Sequence, residues 1–180
     1  MKSIIQKKQS VYTITDTIKQ IKQDVLIVPE GDNCIDVCSL LDSIYKNYPI
    51  GVFCFERTQD KYFVIDGAKR LRAIFGAFHS PIFFNLETQE FIICRSNLST
   101  IPLHYFPVSV MLKTVSFIQH TQKMLDNILD KEKVKMYIDQ AEQLVAAFKN
   151  YKLDVLELQG ASPKQLKEIK QRLNTNLQAQ

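Results

Sequence analysis

The sequence predicts an α+β fold, and three observations carry that reading. Two pairs of strand-like runs, 50–56 with 61–65 and 81–86 with 90–95, are each joined by a short polar link and read as hairpins. Val134, Tyr137, Ile138, Ala141, Leu144, Val145 and Phe148 form an apolar stripe at helical spacing, inside a stretch that reads as helical over 109–150. Strands and helices mix without strict alternation, which favours α+β over a regularly wound α/β sheet.

The elements follow in order. Residues 11–23 read as a short strand and a small helix capped by Thr15 or Asp16, with Ile18 and Ile21 inward. Residues 25–28 are a compact apolar strand stopped by Pro29. Val37, Leu40, Leu41, Ile44 and Tyr45 give one apolar helix face, and Pro49 ends that helix. After the first hairpin, Leu71, Ile74, Phe75 and Phe78 set a helix that runs to about residue 78. The second hairpin turns at Glu87-Thr88-Gln89, and Pro102 and Pro107 mark an irregular connection. Residues 153–158 are a returning strand and Gly160 turns the chain. Ser162, Pro163 and Gln165 form the signature of a capping box opening a last helix, with Leu166, Ile169 and Leu173 inward. The whole is expected to be a single domain over 1–180, with a helical subregion over about 109–150 and a frayed tail over 175–180.

Composition narrows the class. With 46% hydrophobic and 23% charged residues, the chain has the balance of an ordinary globular protein, and eleven Phe with seven Tyr supply bulk for a core. The net charge of +4 permits contact with nucleic acid without requiring it. No apolar run is long enough to span a membrane, and Lys2, Gln6, Lys7, Lys8 and Gln9 interrupt any secretory core, so a cytoplasmic protein is expected. Cys34, Cys38, Cys54 and Cys94 match neither a zinc pattern nor a CxxC pair and read as reduced structural thiols. His79, His104 and His120 are too far apart in sequence to suggest a metal site, and no metal ligands are assigned. No Walker motif or nucleophile elbow is present.

The richest segment for function is 62–75, where an apolar strand meets Asp66-Gly67 and then Lys69 and Arg70 on the first turn of a helix. Gly67 permits a sharp turn and a close backbone approach. Free N–H groups at a helix start, with cations beside them, suit an anion such as a phosphate. The blander alternatives are that Asp66 only caps the helix and that Arg70 pairs with a surface carboxylate such as Glu30 or Asp32.

Four stretches in order carry a family resemblance: residues 25–30, ending at Pro29; Leu40-Leu41-Asp42-Ser43-Ile44 with Tyr48-Pro49-Ile50-Gly51; Val64-Ile65-Asp66-Gly67-Ala68-Lys69-Arg70-Leu71; and 155–158 with Ile169-Lys170-Gln171-Arg172-Leu173-Asn174-Thr175. The chain resembles the N-terminal domain of GmrSD-type modification-dependent restriction systems, a family with a DGQQR motif and a ParB/sulfiredoxin-like fold. The resemblance implies nucleoside triphosphate binding, with magnesium, and sometimes hydrolysis. Asp66 would be the catalytic carboxylate. Gly67, Lys69 and Arg70, with Arg172 and Asn174 from the second motif, would hold the phosphates. Departures are plain. Ala68 and Lys69 replace the two glutamines, Glu30-Gly31 stands where a Gln-Arg pair is usual, and Lys170 replaces a phenylalanine. No part of these residues resembles the family's His-Asn-His nuclease domain.

Two functional expectations follow. One is a diverged module that binds nucleotide or nucleic-acid phosphate for a DNA-defence system and acts with a separate effector or nuclease. The other is a catalytically inert interaction or regulatory domain, favoured by an exposed apolar patch within 109–150 and an Arg70 locked in a salt bridge. A weak nucleoside triphosphatase is the minor alternative.

Overall fold

A computed structural model describes residues 5–31, 35–94 and 101–178, with side chains described as far as residue 173. Cys34, Asp32 and the side chains of the expected frayed tail therefore lie outside the described residues. The fold is α+β. A five-stranded mixed sheet has the order β1-β8-β3-β4-β2, and a three-stranded antiparallel sheet has the order β6-β5-β7. The chain divides into two compact units. The first comprises 1–33, 51–72 and 152–180, and the second 34–50 and 73–151.

The first unit holds the five-stranded sheet. Strand β1 (Gln6–Thr13) runs antiparallel to β8 (Lys152–Gln159) along its whole length. Strand β3 (Phe53–Thr58) lies parallel to β8 and forms the expected hairpin with β4 (Lys61–Asp66). The two-residue β2 (Leu26–Ile27) lies parallel to β4 at the other edge. Ile14, Leu26, Phe53, Phe55, Val64, Leu71, Leu153, Val155 and Leu158 form the apolar interior here. Helix α1 (Ile14–Lys22) follows β1 without a break, so its cap is Thr13 and not Thr15 or Asp16. Thr13 Oγ1 accepts from the Asp16 N–H at 3.0 Å. Helix α6 (Pro163–Gln178) packs on β4 and opens with the expected capping box. Ser162 N–H donates to Gln165 Oε1 at 2.8 Å, and Gln165 N–H returns to Ser162 Oγ at 3.4 Å.

In the second unit, α2 (Val37–Tyr45) is capped by Asp36 and buries Leu40, Leu41 and Ile44, as its stripe requires. The hairpin of β5 (Ile82–Asn85) and β6 (Glu90–Ile93) is closed by the Asn85 carboxamide, which accepts from the Glu87 and Thr88 N–H groups. The connection at Pro102 and Pro107 is more ordered than the sequence suggests. Tyr105–Pro107 forms an edge strand, β7, on β5, where a proline lacking a donor is tolerated, and a 3₁₀ turn at Val108–Val110 follows. The helical stretch over 109–150 is two helices, α4 (Thr114–Asn127) and α5 (Lys131–Asn150). The break is local. Ile128 is extended at φ −105°, and the Asp130 carboxylate caps α5 by accepting from Glu132 and Lys133. Phe78, Phe84, Phe91 and Phe148 form a chain of tilted and edge-on ring contacts in this core.

Cys38, Cys54 and Cys94 are free thiols. Burial, then the Asp66 charge, pushes the Cys54 thiol up to about 11, which leaves it unreactive at neutral pH.

One pH effect arises at the second hairpin. Glu87 accepts from the Tyr137 hydroxyl and pairs with Lys133 at 2.9 Å, and these two partners, in that order, hold its carboxyl down at about 2 from an ordinary 4.5. Its pKa is depressed in the folded state, so its stabilisation is fully present above pH 4.5 and is lost as the pH falls through about 2. Denaturant melts at stepped pH should show an acid-limb loss over that window in the wild type and a flatter limb in Glu87→Gln. Identical limbs would show that the hairpin contact carries no pH-dependent stability.

Candidate functional site

The turn singled out by the sequence is built as expected up to its glycine. Strand β4 ends at Asp66, which stands opposite Cys54 of β3 beside a register shift between Cys54 and Phe55. Gly67 has φ +89°, and helix α3 (Ala68–Ala77) starts at the next residue, its first hydrogen bond running from Leu71 N–H to Gly67 O at 3.0 Å. The positive φ bears out the sharp turn expected of the glycine, and the packing adds a second requirement. A Cβ at position 67 would lie 2.3 Å from Phe53 Cδ1, so the missing side chain makes room for a core aromatic.

Arg70 sits in a cage formed by its own unit. Its Nη2 donates to Asp66 Oδ2 at 3.0 Å and to the Val52 carbonyl at 3.0 Å, and its Cζ stands 4.5 Å from the Phe53 ring centroid. Gly51, at φ +85°, supplies the remaining wall, since a Cβ there would come within 2.5 Å of Arg70 Nη1. The Asp66 and Arg70 side chains are only 16% and 18% exposed. Burial pulls the Arg70 guanidinium below its ordinary value and the Asp66 charge opposes that pull. Thus Arg70 pairs with Asp66, four residues before it on the chain, while Asp32 lies outside the described residues.

Lys69 is exposed on the first turn of α3. Arg172 lies on α6 with its side chain 77% exposed and pairs with Glu168 at 2.6 Å. The Asn174 side chain is outside the described residues. So the structure brings together Asp66, Gly67 and Arg70. Sequence reasoning missed Val52, Phe53 and the caging use of Gly51. It also passed over Arg72, whose guanidinium donates to the Pro29 carbonyl and lies beside Gly31, where a Cβ would come 3.3 Å from Nη2. The i, i+4 spacing of Asp66 and Arg70 was the one available signal.

Asp66 is the carboxylate that the resemblance assigns to this turn, and magnesium in a triphosphate site is held mostly by the phosphates with one or two carboxylates. Asp66 is engaged by Arg70, and among the described residues no three His, Cys, Asp or Glu side chains converge as a metal site. Among the described residues, no helix is long and apolar enough to cross a membrane.

The family is decided by comparison with known domains. Residues 33–179 match the family described as GmrSD restriction endonuclease, N-terminal domain. The chain belongs to this family. Membership makes it a module of the restriction and defence type. The matched range contains Gly51 and the Asp66–Arg70 turn, which meet at Arg70, and it starts beyond the strand at 25–28. No curated protein matches the chain.

Proposed function

We propose that this GmrSD-family chain serves its restriction system as a regulatory docking module, and that α4 seats an amphipathic helix of the system's effector polypeptide. One observation carries the reading: α4 is apolar on two sides. Phe117 packs inward on Phe106, with ring centroids 5.6 Å apart, and Met124 is fully buried. Val115, Ile118 and Leu125 nevertheless remain 69%, 58% and 55% exposed, and Leu129 continues past the helix end at 99%. Together with Gln122 these positions follow the alternating three- and four-residue step of a helix–helix seam. Such a line costs solubility unless it meets a partner. The seam residues are uncharged, which suits an apolar helical stripe better than a charged strand or nucleic acid. The family's own description, an N-terminal domain of a restriction endonuclease, supports an occupant from the same system.

The test is co-expression with the nuclease polypeptide of that system. Wild type should co-purify with it, and the double variant Ile118→Lys with Leu125→Lys should lose binding at least tenfold. Stability should stay within about 0.5 kcal/mol, because the substituted positions are exposed. Undiminished binding by the variant would reject the docking face. So would a wild-type chain that self-associates through these residues and excludes the nuclease.

A second reading keeps a nucleotide or nucleic-acid phosphate at the start of α3, favoured by the exposed Lys69 beside the helix N-terminus. It requires Arg70 to leave Asp66 and Val52 for the anion. Thermal stabilisation by ATP, GTP or CTP, absent in Lys69→Glu, would support it over docking alone.

A further inference from the structure

The second unit contains a cavity of about 810 Å³ that the function proposed above does not use. Its volume is that of a small-molecule site. Phe78, Phe83, Tyr105 and Leu103 give it flat and apolar walls, while Lys113, Lys123 and His120 also line it. No Asp or Glu is among the lining residues, and among the described residues neither lysine forms an ion pair. The walls therefore carry uncompensated positive charge. Lys113 is also the N-cap residue of α4, and no side chain caps that helix start, so first-turn N–H groups lie next to it.

A further observation concerns His120. Its ring meets Phe106 edge-on at 5.1 Å, and its Nε2 is buried with no hydrogen-bond partner. A buried polar atom left unsatisfied is unfavourable and calls for a partner. Burial, with Lys123 adding to it, lowers the pKa of this imidazole and favours the neutral form, which donates at one nitrogen and accepts at the other. The χ2 torsion of histidine is broad, so a modest ring rotation presents Nε2 to a guest.

We propose that this cavity is a binding site for a small heteroaromatic anion. The ring lies among the aromatic walls, its polar edge meets His120, and its negative group sits at Lys113 and Lys123 beside the start of α4. An alkyl carboxylate held at the lysines brings no second polar group for His120, whereas a heteroaromatic ring carries one on an edge that aromatic walls can hold. The site lies within the second unit; it shares helix α4 with the docking face proposed above but uses none of the seam residues.

Isothermal titration of the full chain tests this with four probes: adenosine 5′-monophosphate, indole-3-acetate, decanoate and inorganic phosphate. Binding of either heteroaromatic anion, weakened at least tenfold by Lys113→Glu with Lys123→Glu and by His120→Phe, is the expected result. The two heteroaromatic probes separate a phosphate-bearing base from a carboxylate-bearing ring. Both lysines are exposed, so the lysine variant should melt as the wild type does. Binding of decanoate or phosphate alone would overturn the proposal, as would heteroaromatic binding that the three substitutions leave unchanged. Loss of binding in Asp66→Asn would place the guest at the α3 turn instead and would equally overturn it.

Discussion

Gly67→Ala is expected to cost about 3 kcal/mol of folding stability. Two independent effects add. At φ +89° an L-residue carries about 1–2 kcal/mol of backbone strain. The new methyl would also start 2.3 Å from Phe53 Cδ1, and overpacking of a tight core costs about 1–3 kcal/mol. Phe53 is fully buried, so its ring cannot swing into solvent to relieve the contact. Gly76 offers a control within the same helix, because a Cβ there meets nothing within 4 Å. Gly76→Ala should be neutral or stabilising by up to about 1 kcal/mol through the unfolded state. Urea melts of the two variants should therefore move in opposite directions. Equal small shifts would mean that the glycine at 67 does not protect Phe53.

Arg70→Ala is expected to cost about 2–3 kcal/mol. It removes the cation from Asp66, the donor from the Val52 carbonyl and the guanidinium from the Phe53 face. Losing one partner of a fully buried ion pair costs about 3–5 kcal/mol, and this pair keeps some contact with water, so a lower figure applies. Arg70→Lys should recover only part of the loss, since one ammonium cannot copy a planar group that bonds Asp66 and Val52 through the same nitrogen while covering a ring. In a double-mutant cycle with Asp66→Asn, the two losses should overlap by at least 1 kcal/mol if the contact is energetically real. Full additivity would mean that the pair is no more than a geometric coincidence.

Much of the fold is written in side-chain periodicity. Helix α2, both hairpins and the α6 capping box can be read directly, because each rests on a local pattern of apolar spacing or on a residue that satisfies a nearby backbone group. Strand β1 is harder to read. Its residues are mostly exposed and include Lys7 and Lys8, and it is held by backbone pairing to β8, which leaves no apolar alternation to find. The three-residue β7 is likewise a product of its partner β5, and its proline argues against it locally. The division of the helical stretch turns on Asp130, one residue able to cap a new helix.

The site divides in the same way. The Asp-Gly bend and the helix after it were legible. The glycine's second role was not, because it depends on Phe53, fourteen residues earlier, which only the β3–β4 pairing brings near. Arg70 was read for its charge and for what it could grip in a ligand. Its actual setting depends on Gly51 and Val52, whose roles are set by backbone conformation and by a carbonyl direction that composition does not encode. Ala68 and Lys69 stand where the resemblance expects two glutamines, which was visible from the start, and the arginine after them is paired with Asp66.

Phosphate release from ATP, GTP, CTP and UTP with magnesium, measured on the wild type and on Arg70→Lys, bears most directly on the claim that this cage is architecture and that the chain acts by docking. Both proteins should release phosphate at the rate of buffer alone. Turnover by the wild type that disappears in a folded Arg70→Lys would contradict the claim and return Arg70 to a catalytic role.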